Sequence, residues 1–211
     1  MKILPISAKS IRFARQIIKR GGLVIYPTET VYGLGADISN LAAVKKIFVA
    51  KGRKFNKPLS AMVANLADLK KLVYLNKEQE TIVNGLLPGP FTLILRKKRI
   101  VFNLLTGGSP KLGIRWSPDK LCQQLVRHLP ITATSANLSD QGSVLSIKKL
   151  AKDFSGRVDP VRDRSPQGGR SRAFGRAVSN GVDLILTSKR MSGQLSRVID
   201  LSVKPWRILR Q

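Results

Sequence analysis

The 211-residue sequence has one cysteine, Cys122, and one histidine, His128. That scarcity excludes a disulfide framework within one chain and any zinc site built from Cys and His. A serine or thiol triad would have to run through His128, which lies near the end of an expected helix beside Val126 and Leu129 and reads as structural. Cys122, in the apolar half of the same stretch, reads as a small packed hydrophobe. Carboxylates are few: 12 Asp plus Glu stand against 38 Lys plus Arg, a formal charge of +26. An all-protein calcium cage has no basis here, and no metal ligands are expected. No apolar run reaches the roughly 18–20 residues of a membrane span. Met1–Gly22 alternates charged with apolar residues, unlike a signal peptide. The expectation is a soluble, cytoplasmic chain without membrane association. Neither a GxxxxGK[ST] phosphate loop nor a complete GxGxxG is present, so any nucleotide site is of another type.

A hydrophobic fraction of 43% is enough for a core, and the length suits one domain over residues 1–211. So cationic a chain is expected to attract polyanions such as nucleotides, RNA or an anionic membrane surface. The spacing predicts an amphipathic helix over Ser7–Arg20, with a serine cap and a Gly21-Gly22 stop. Asn40, Asn65 and Asn76 read as caps of further helices, and Ser117-Pro118 as the start of one running to His128. Leu23–Tyr26, Leu59–Val63, Phe91–Leu95, Leu112–Arg115 and Pro130–Thr134 read as strands, as do Val182–Leu186, Arg197–Leu201 and Trp206–Leu209. Alternating strands and helices predict an α/β domain, and the helix-poor tail predicts a mixed sheet. Ser155–Asn180 breaks the pattern: six arginines face two aspartates, with almost no apolar periodicity. It is expected to be a flexible insertion, either a tolerated surface loop or an RNA-contacting arm.

Four segments carry chemistry. YPTETVYGLG (Tyr26–Gly35) follows a buried strand and sets Thr28, Thr30 and Tyr32, with Glu29, beside two glycines, which allow close backbone approach to a small polar ligand. It equally fits a turn whose threonines satisfy the backbone. AKGRKFNKPL (Ala50–Leu59) groups Lys51, Arg53, Lys54 and Lys57, either a phosphate site or a solvated basic helix end. KLGIRW (Lys111–Trp116) puts Arg115 in an apolar strand, where it needs a ligand carboxylate or an internal acid. TATSANLS (Thr132–Ser139) places small hydroxyls and Asn137 at a strand end, suited to phosphate or ribose oxygens or simply to a turn.

In this order, YPTETVYGLG, KGR…KPL, GIR and TSAN resemble the YrdC-like threonylcarbamoyl-AMP synthase family. The resemblance runs from about Ser7 to Leu150 and from Gly181 to Arg210, where SRVIDLS…WRILR looks like the family's closing signature. It implies a twisted, mixed α/β sheet flanked by helices, with a large basic concave face. It implies an enzyme, a nucleotidyltransferase that makes threonylcarbamoyl-AMP and pyrophosphate from L-threonine, bicarbonate and ATP, with Mg2+ accompanying the nucleotide. A partner transferase complex then modifies tRNA next to the anticodon. By motif, Thr30, Arg115 and Ser196 hold threonine. Lys51, Arg53, Lys57, Lys111, Ser135, Asn137, Ser143 and Arg210 surround ATP, with Lys51 and Arg53 as the catalytic cations. Three departures stand out: Met62 where many members carry a polar residue, Asp140 in place of a usual glycine, and the Arg-rich stretch. Two rivals are weighed: a non-catalytic module binding double-stranded RNA, tRNA or a ribosomal particle, and the carbamoyl-handling module of hydrogenase maturation.

Overall fold

A computed structural model describes residues 1–155, 181–188 and 191–210. The expected insertion over 155–180 lies, apart from Ser155, outside the described residues. In chain order the elements are β1 (Lys2–Pro5), α1 (Ala8–Lys19), β2 (Val24–Tyr26), β3 (Gly33–Gly35), α2 (Leu41–Lys51), β4 (Ser60–Met62), α3 (Leu66–Leu72) and α4 (Lys77–Leu86). They continue with β5 (Phe91–Arg96), β6 (Lys111–Arg115), α5 (Lys120–Val126), β7 (Ile131–Ser135), α6 (Ile147–Phe154), β8 (Leu184–Thr187), β9 (Arg197–Asp200) and β10 (Arg207–Arg210).

The helix ends follow from side-chain chemistry. Ser7 caps α1, its hydroxyl accepting the Ser10 N–H at 3.0 Å. Asn40, Asn65 and Asn76 cap α2, α3 and α4 as the sequence predicts. Gly52, at φ +60°, stops α2 in a conformation that other residues adopt at a cost. One start differs. The helix expected from Ser117 begins at Lys120, because the Asp119 carboxylate accepts the N–H groups of Leu121 and Cys122 and so outcompetes the serine. The helix ends at Val126, and His128 sits exposed in the turn behind it at φ 56°. Cys122 is fully buried, as expected, and burial pushes its thiol up. Sequence periodicity did not suggest β1, β3 or α6, since none of the three carries a long enough apolar pattern to be told from loop.

The strands form one mixed sheet in the order β1-β8-β2-β3-β7-β4-β6-β5-β9-β10. β1 and β2 run parallel to β8, β4 to β6 and β5 to β9, and the other pairs are antiparallel. Strand alternation divides the buried residues between two faces. Ile25, Leu93, Leu95, Leu112, Ile114 and Ile185 join Ile47, Phe48, Leu69, Val83 and Leu150 of α2, α3, α4 and α6 in the larger core. On the opposite face Val24, Tyr26, Leu184 and Leu186 pack against Ile11, Ala14 and Ile18 of α1 and Leu121, Cys122 and Leu125 of α5. Arg15 of α1 ties these two helices together by donating to the carbonyls of Gln124, Leu125 and Arg127 at 2.6–2.9 Å.

Among the described residues, helices cover only that first half of the second face. α1 and α5 lie over β8 and β2, while the same face of β4, β5, β6 and β9 carries polar and small residues, Ser60, Thr92, Gly113, Arg115 and Asp200 among them. The open half of the sheet is where a site can form. No helix among the described residues is long and apolar enough to cross a membrane.

Candidate active site

The uncovered strands floor a cavity of about 480 Å3, walled by the loop after β2, the turn after α2, the end of β7 and the segment entering β9. Its position follows from the floor residues: Thr92, Gly113 and Arg115 share the face opposite Leu93, Leu112 and Ile114.

At one end lies Arg115, 8% exposed. Its Nη2 donates to Glu29 Oε1 at 2.5 Å and to Thr30 Oγ1 at 2.7 Å. The second Glu29 oxygen accepts the Ser117 hydroxyl. Glu29 itself does not line the cavity; it supports Arg115 from behind. The internal acid that the sequence reading allowed for Arg115 is therefore Glu29, yet Arg115 Nε is buried with no hydrogen-bond partner among the described residues. Thr28 does the work of a turn residue, donating to the Val31 carbonyl at 2.7 Å and sharing a hydrogen bond with Thr30 Oγ1 at 2.8 Å. The two glycines of YGLG serve a neighbour more than a ligand. A Cβ on Gly33 would come within 2.6 Å of the Tyr26 ring, and one on Gly35 within 2.9 Å, so both make room for the tyrosine that opens the motif.

A second group gathers around Ser196. Its hydroxyl meets Thr92 Oγ1 at 2.9 Å and accepts Arg210 Nη2 at 3.0 Å, while Arg210 Nε donates to the Ser196 carbonyl at 2.7 Å. Burial, with the Arg115 charge second, pushes the Arg210 guanidinium down. Lys111 pairs with Asp200 at 3.0 Å on the same floor. Burial works against the Asp200 carboxylate, but hydrogen bonds from Ser202 and Lys111 outweigh it and hold the group below its ordinary value.

The third group spans the turn after α2 and the turn after β7. Arg53 lines the cavity and donates to the carbonyls of Lys57 (3.2 Å) and Pro58 (2.9 Å); burial pushes its guanidinium down. Lys57 pairs with Asp140 at 2.7 Å near the surface, and that partner holds the Asp140 carboxylate low. Asp140 sits at φ 64°, a left-handed position that favours glycine. Lys51 is 2% exposed; burial, with Arg53 second, lowers its ammonium to about 7.

Of the residues singled out from the sequence, Thr30, Arg53, Lys111, Arg115, Ser135, Ser196 and Arg210 line the cavity together. Lys51, Lys57, Asn137 and Ser143 do not: Lys51 and Asn137 are buried behind the wall, and Ser143 is exposed beyond it. Met62 lines the cavity and also joins the smaller core. Thr92, Ser117 and Asp200 escaped sequence reasoning as site residues, and Glu29, placed in the first segment, was not recognised as the partner of Arg115. Alternation could have found Thr92, since Leu93 and Leu95 assign it to the other face. The partners of Arg115 and Lys111 are 86 and 89 residues away in sequence and left no local signal.

Comparison with known proteins follows the same lines. The curated threonylcarbamoyl-AMP synthase of Pyrococcus abyssi is 38% identical over 156 residues, 72% of this chain and 46% of that protein. The Bacillus subtilis threonylcarbamoyl-AMP synthase is 38% identical over 159 residues, 74% of this chain and 46% of that protein. This chain thus spans about half the length of those two relatives. The crystal structure of P. abyssi Sua5 complexed with L-threonine superposes with a TM-score of 0.80 at 32% identity, covering 99% of this chain and 56% of that one. The model of the Sua5/YciO/YrdC family, described as "Telomere recombination", matches residues 16–172. With most of its length matched by that model and its sheet superposing on a solved member, the chain belongs to the Sua5/YciO/YrdC family.

Proposed function

We propose that this chain is an L-threonylcarbamoyladenylate synthase, joining L-threonine, bicarbonate and ATP into threonylcarbamoyl-AMP with release of pyrophosphate. One observation carries the reading. Arg115 is buried against a hydroxyl-lined cavity with Nε unpartnered among the described residues, which suits the carboxylate of a small amino acid. Thr30 and Ser196 line the same cavity and offer hydroxyls for the same ligand. Arg53, Lys111 and Arg210 supply cations along the cavity for the phosphates, with Ser135 at its wall; Lys57, Asn137 and Ser143, which do not line it, are proposed as further nucleotide contacts.

The chemistry needs no side-chain nucleophile, in keeping with a single buried cysteine and a single exposed histidine. The threonine ammonium gives up a proton, and the free amine then condenses with bicarbonate to a carbamate with loss of water. A carbamate oxygen then attacks the α-phosphorus, and the bond to pyrophosphate breaks. Negative charge collects on phosphate oxygens, so Arg53 and its neighbours act by electrostatic stabilisation and positioning. Magnesium would accompany the nucleotide, bound through its phosphates. The product would pass to a threonylcarbamoyl transferase acting on tRNA, and the surplus of cations fits a tRNA partner.

The test is pyrophosphate release from ATP with L-threonine and bicarbonate each omitted in turn. Release that needs both supports the synthase; release that ignores threonine, or none at all, removes it and leaves the RNA-binding module.

A further inference from the structure

Lys51 ends α2 with its side chain turned inward and buried, whereas Arg53 and Lys57 are half-buried and Lys54 is exposed. Burying an ammonium is costly unless other acceptors replace water. Here three acceptors match its three N–H donors. Nζ donates to the Ser135 carbonyl at 2.5 Å, the Asn137 carbonyl at 2.7 Å and Asn137 Oδ1 at 3.2 Å. The Lys51 backbone carbonyl in turn accepts the Ser139 N–H at 2.8 Å. One residue therefore grips positions 135, 137 and 139 of the turn that follows β7.

The grip extends outward through Asn137. With Oδ1 committed to the ammonium and to the Ser135 hydroxyl at 2.5 Å, its amide nitrogen points the other way and donates to the Leu138 carbonyl at 3.0 Å and to the Gln141 carbonyl. The Gln141 N–H closes the turn on the Leu138 carbonyl at 3.2 Å. Ser135 is thereby held at the cavity wall, while Lys51 itself lines no part of the cavity.

We infer that Lys51 is a positioning residue, an internal strut that pre-forms the 135–141 turn and acts on the nucleotide only through it. This rests on the proposed function for the identity of the nucleotide, but not for the strut, which is a property of the ligand-free protein.

The test pairs hydrogen exchange with kinetics on the full chain, using Lys51→Met and Lys51→Gln. The second variant keeps two N–H donors without the charge, so a folding failure of the first leaves the inference testable. In the ligand-free variants the Ser139 and Gln141 amides are expected to lose at least tenfold in protection. The Thr132 amide of β7, bonded to the Ala36 carbonyl at 2.8 Å, keeps its own and reports that the fold is intact. KM for ATP rises at least tenfold while KM for L-threonine stays within twofold, a split that general destabilisation would not produce. Retained protection at Ser139 and Gln141 together with a raised KM for ATP would mark direct contact with the ligand and overturn the strut; so would no change in either. If the wild type releases no pyrophosphate, the synthase reading fails, and the exchange data still decide the strut.

Discussion

Replacing Glu29 by alanine removes the counter-ion of Arg115 and leaves a guanidinium that is 8% exposed facing a cavity. The pair is 2.5 Å long, and its side chains retain 10% (Arg115) and 21% (Glu29) exposure. Breaking a fully buried pair from one side costs about 3–5 kcal/mol. Here water can reach the cavity side, and Thr30 Oγ1 still accepts from Nη2, so the cost falls to or just below the bottom of that range, about 2–3 kcal/mol. For a chain of this size that is a fall in Tm of roughly 4–12 °C at about 2–4 °C per kcal/mol. The assay is urea denaturation of the wild type, Glu29→Ala, Arg115→Met and the double variant. Because the acid and the guanidinium compensate one another, the double variant should cost at least about 1 kcal/mol less than the sum of the singles. Glu29→Ala within about 0.5 kcal/mol of the wild type, or strict additivity, would show that the ion pair does not hold Arg115 and would refute this account of the site.

Three further outcomes are expected. Arg53→Ala should reduce threonine-dependent pyrophosphate release by at least about a hundredfold with little change in urea midpoint, since Arg53 bonds only to turn carbonyls; wild-type turnover would remove it from the machinery. Gly113→Ala puts a Cβ 2.5 Å from Ser60 Oγ and 3.2 Å from both Ser60 Cβ and Thr92 Cγ2 on the cavity floor. It should cost about 1–3 kcal/mol and be partly rescued by Ser60→Gly, as read by thermal melting of the single and double variants. For Lys51, lowered to about 7, the sign follows from proton binding. Below that pH the native and unfolded chains both hold the proton. Above it the native chain loses the proton that the unfolded chain keeps, so Lys51 makes stability rise with pH by at most about 1.4 kcal/mol per unit. The window to measure is pH 7 to about 8.5, before the unfolded Cys122 thiol begins to ionise and opposes the trend. In that window the slope of the wild type minus that of Lys51→Met should be positive, and a negative difference would rule out the burial argument.

How much was legible beforehand depended on range. Asn40, Asn65 and Asn76 cap their helices through the amide three residues on, so a reader of the sequence sees both partners at once. The same reach misled at Ser117, because Asp119 lies close enough to compete and only the built backbone shows which side chain wins. Ser117 instead turned to Glu29, 88 residues away.

Composition and pattern by themselves determined that the chain folds as alternating helices and strands around a mixed sheet, that one cysteine and one histidine are all it has for thiol or imidazole chemistry, and that a few of its many cations stand together in short motifs. Those are properties of neighbouring residues and of counts, which the chain order contains directly. Tertiary structure alone decided which cations face the cavity and which are spent inside. Arg53, Lys111 and Arg115 reach the cavity because α1 and α5 cover only one half of a sheet face. Lys51 and Arg53, two residues apart, were given opposite tasks by the turn at Gly52. The physical reason is that a charge acts through the groups packed around it, and those groups come from strands that meet only in the folded sheet.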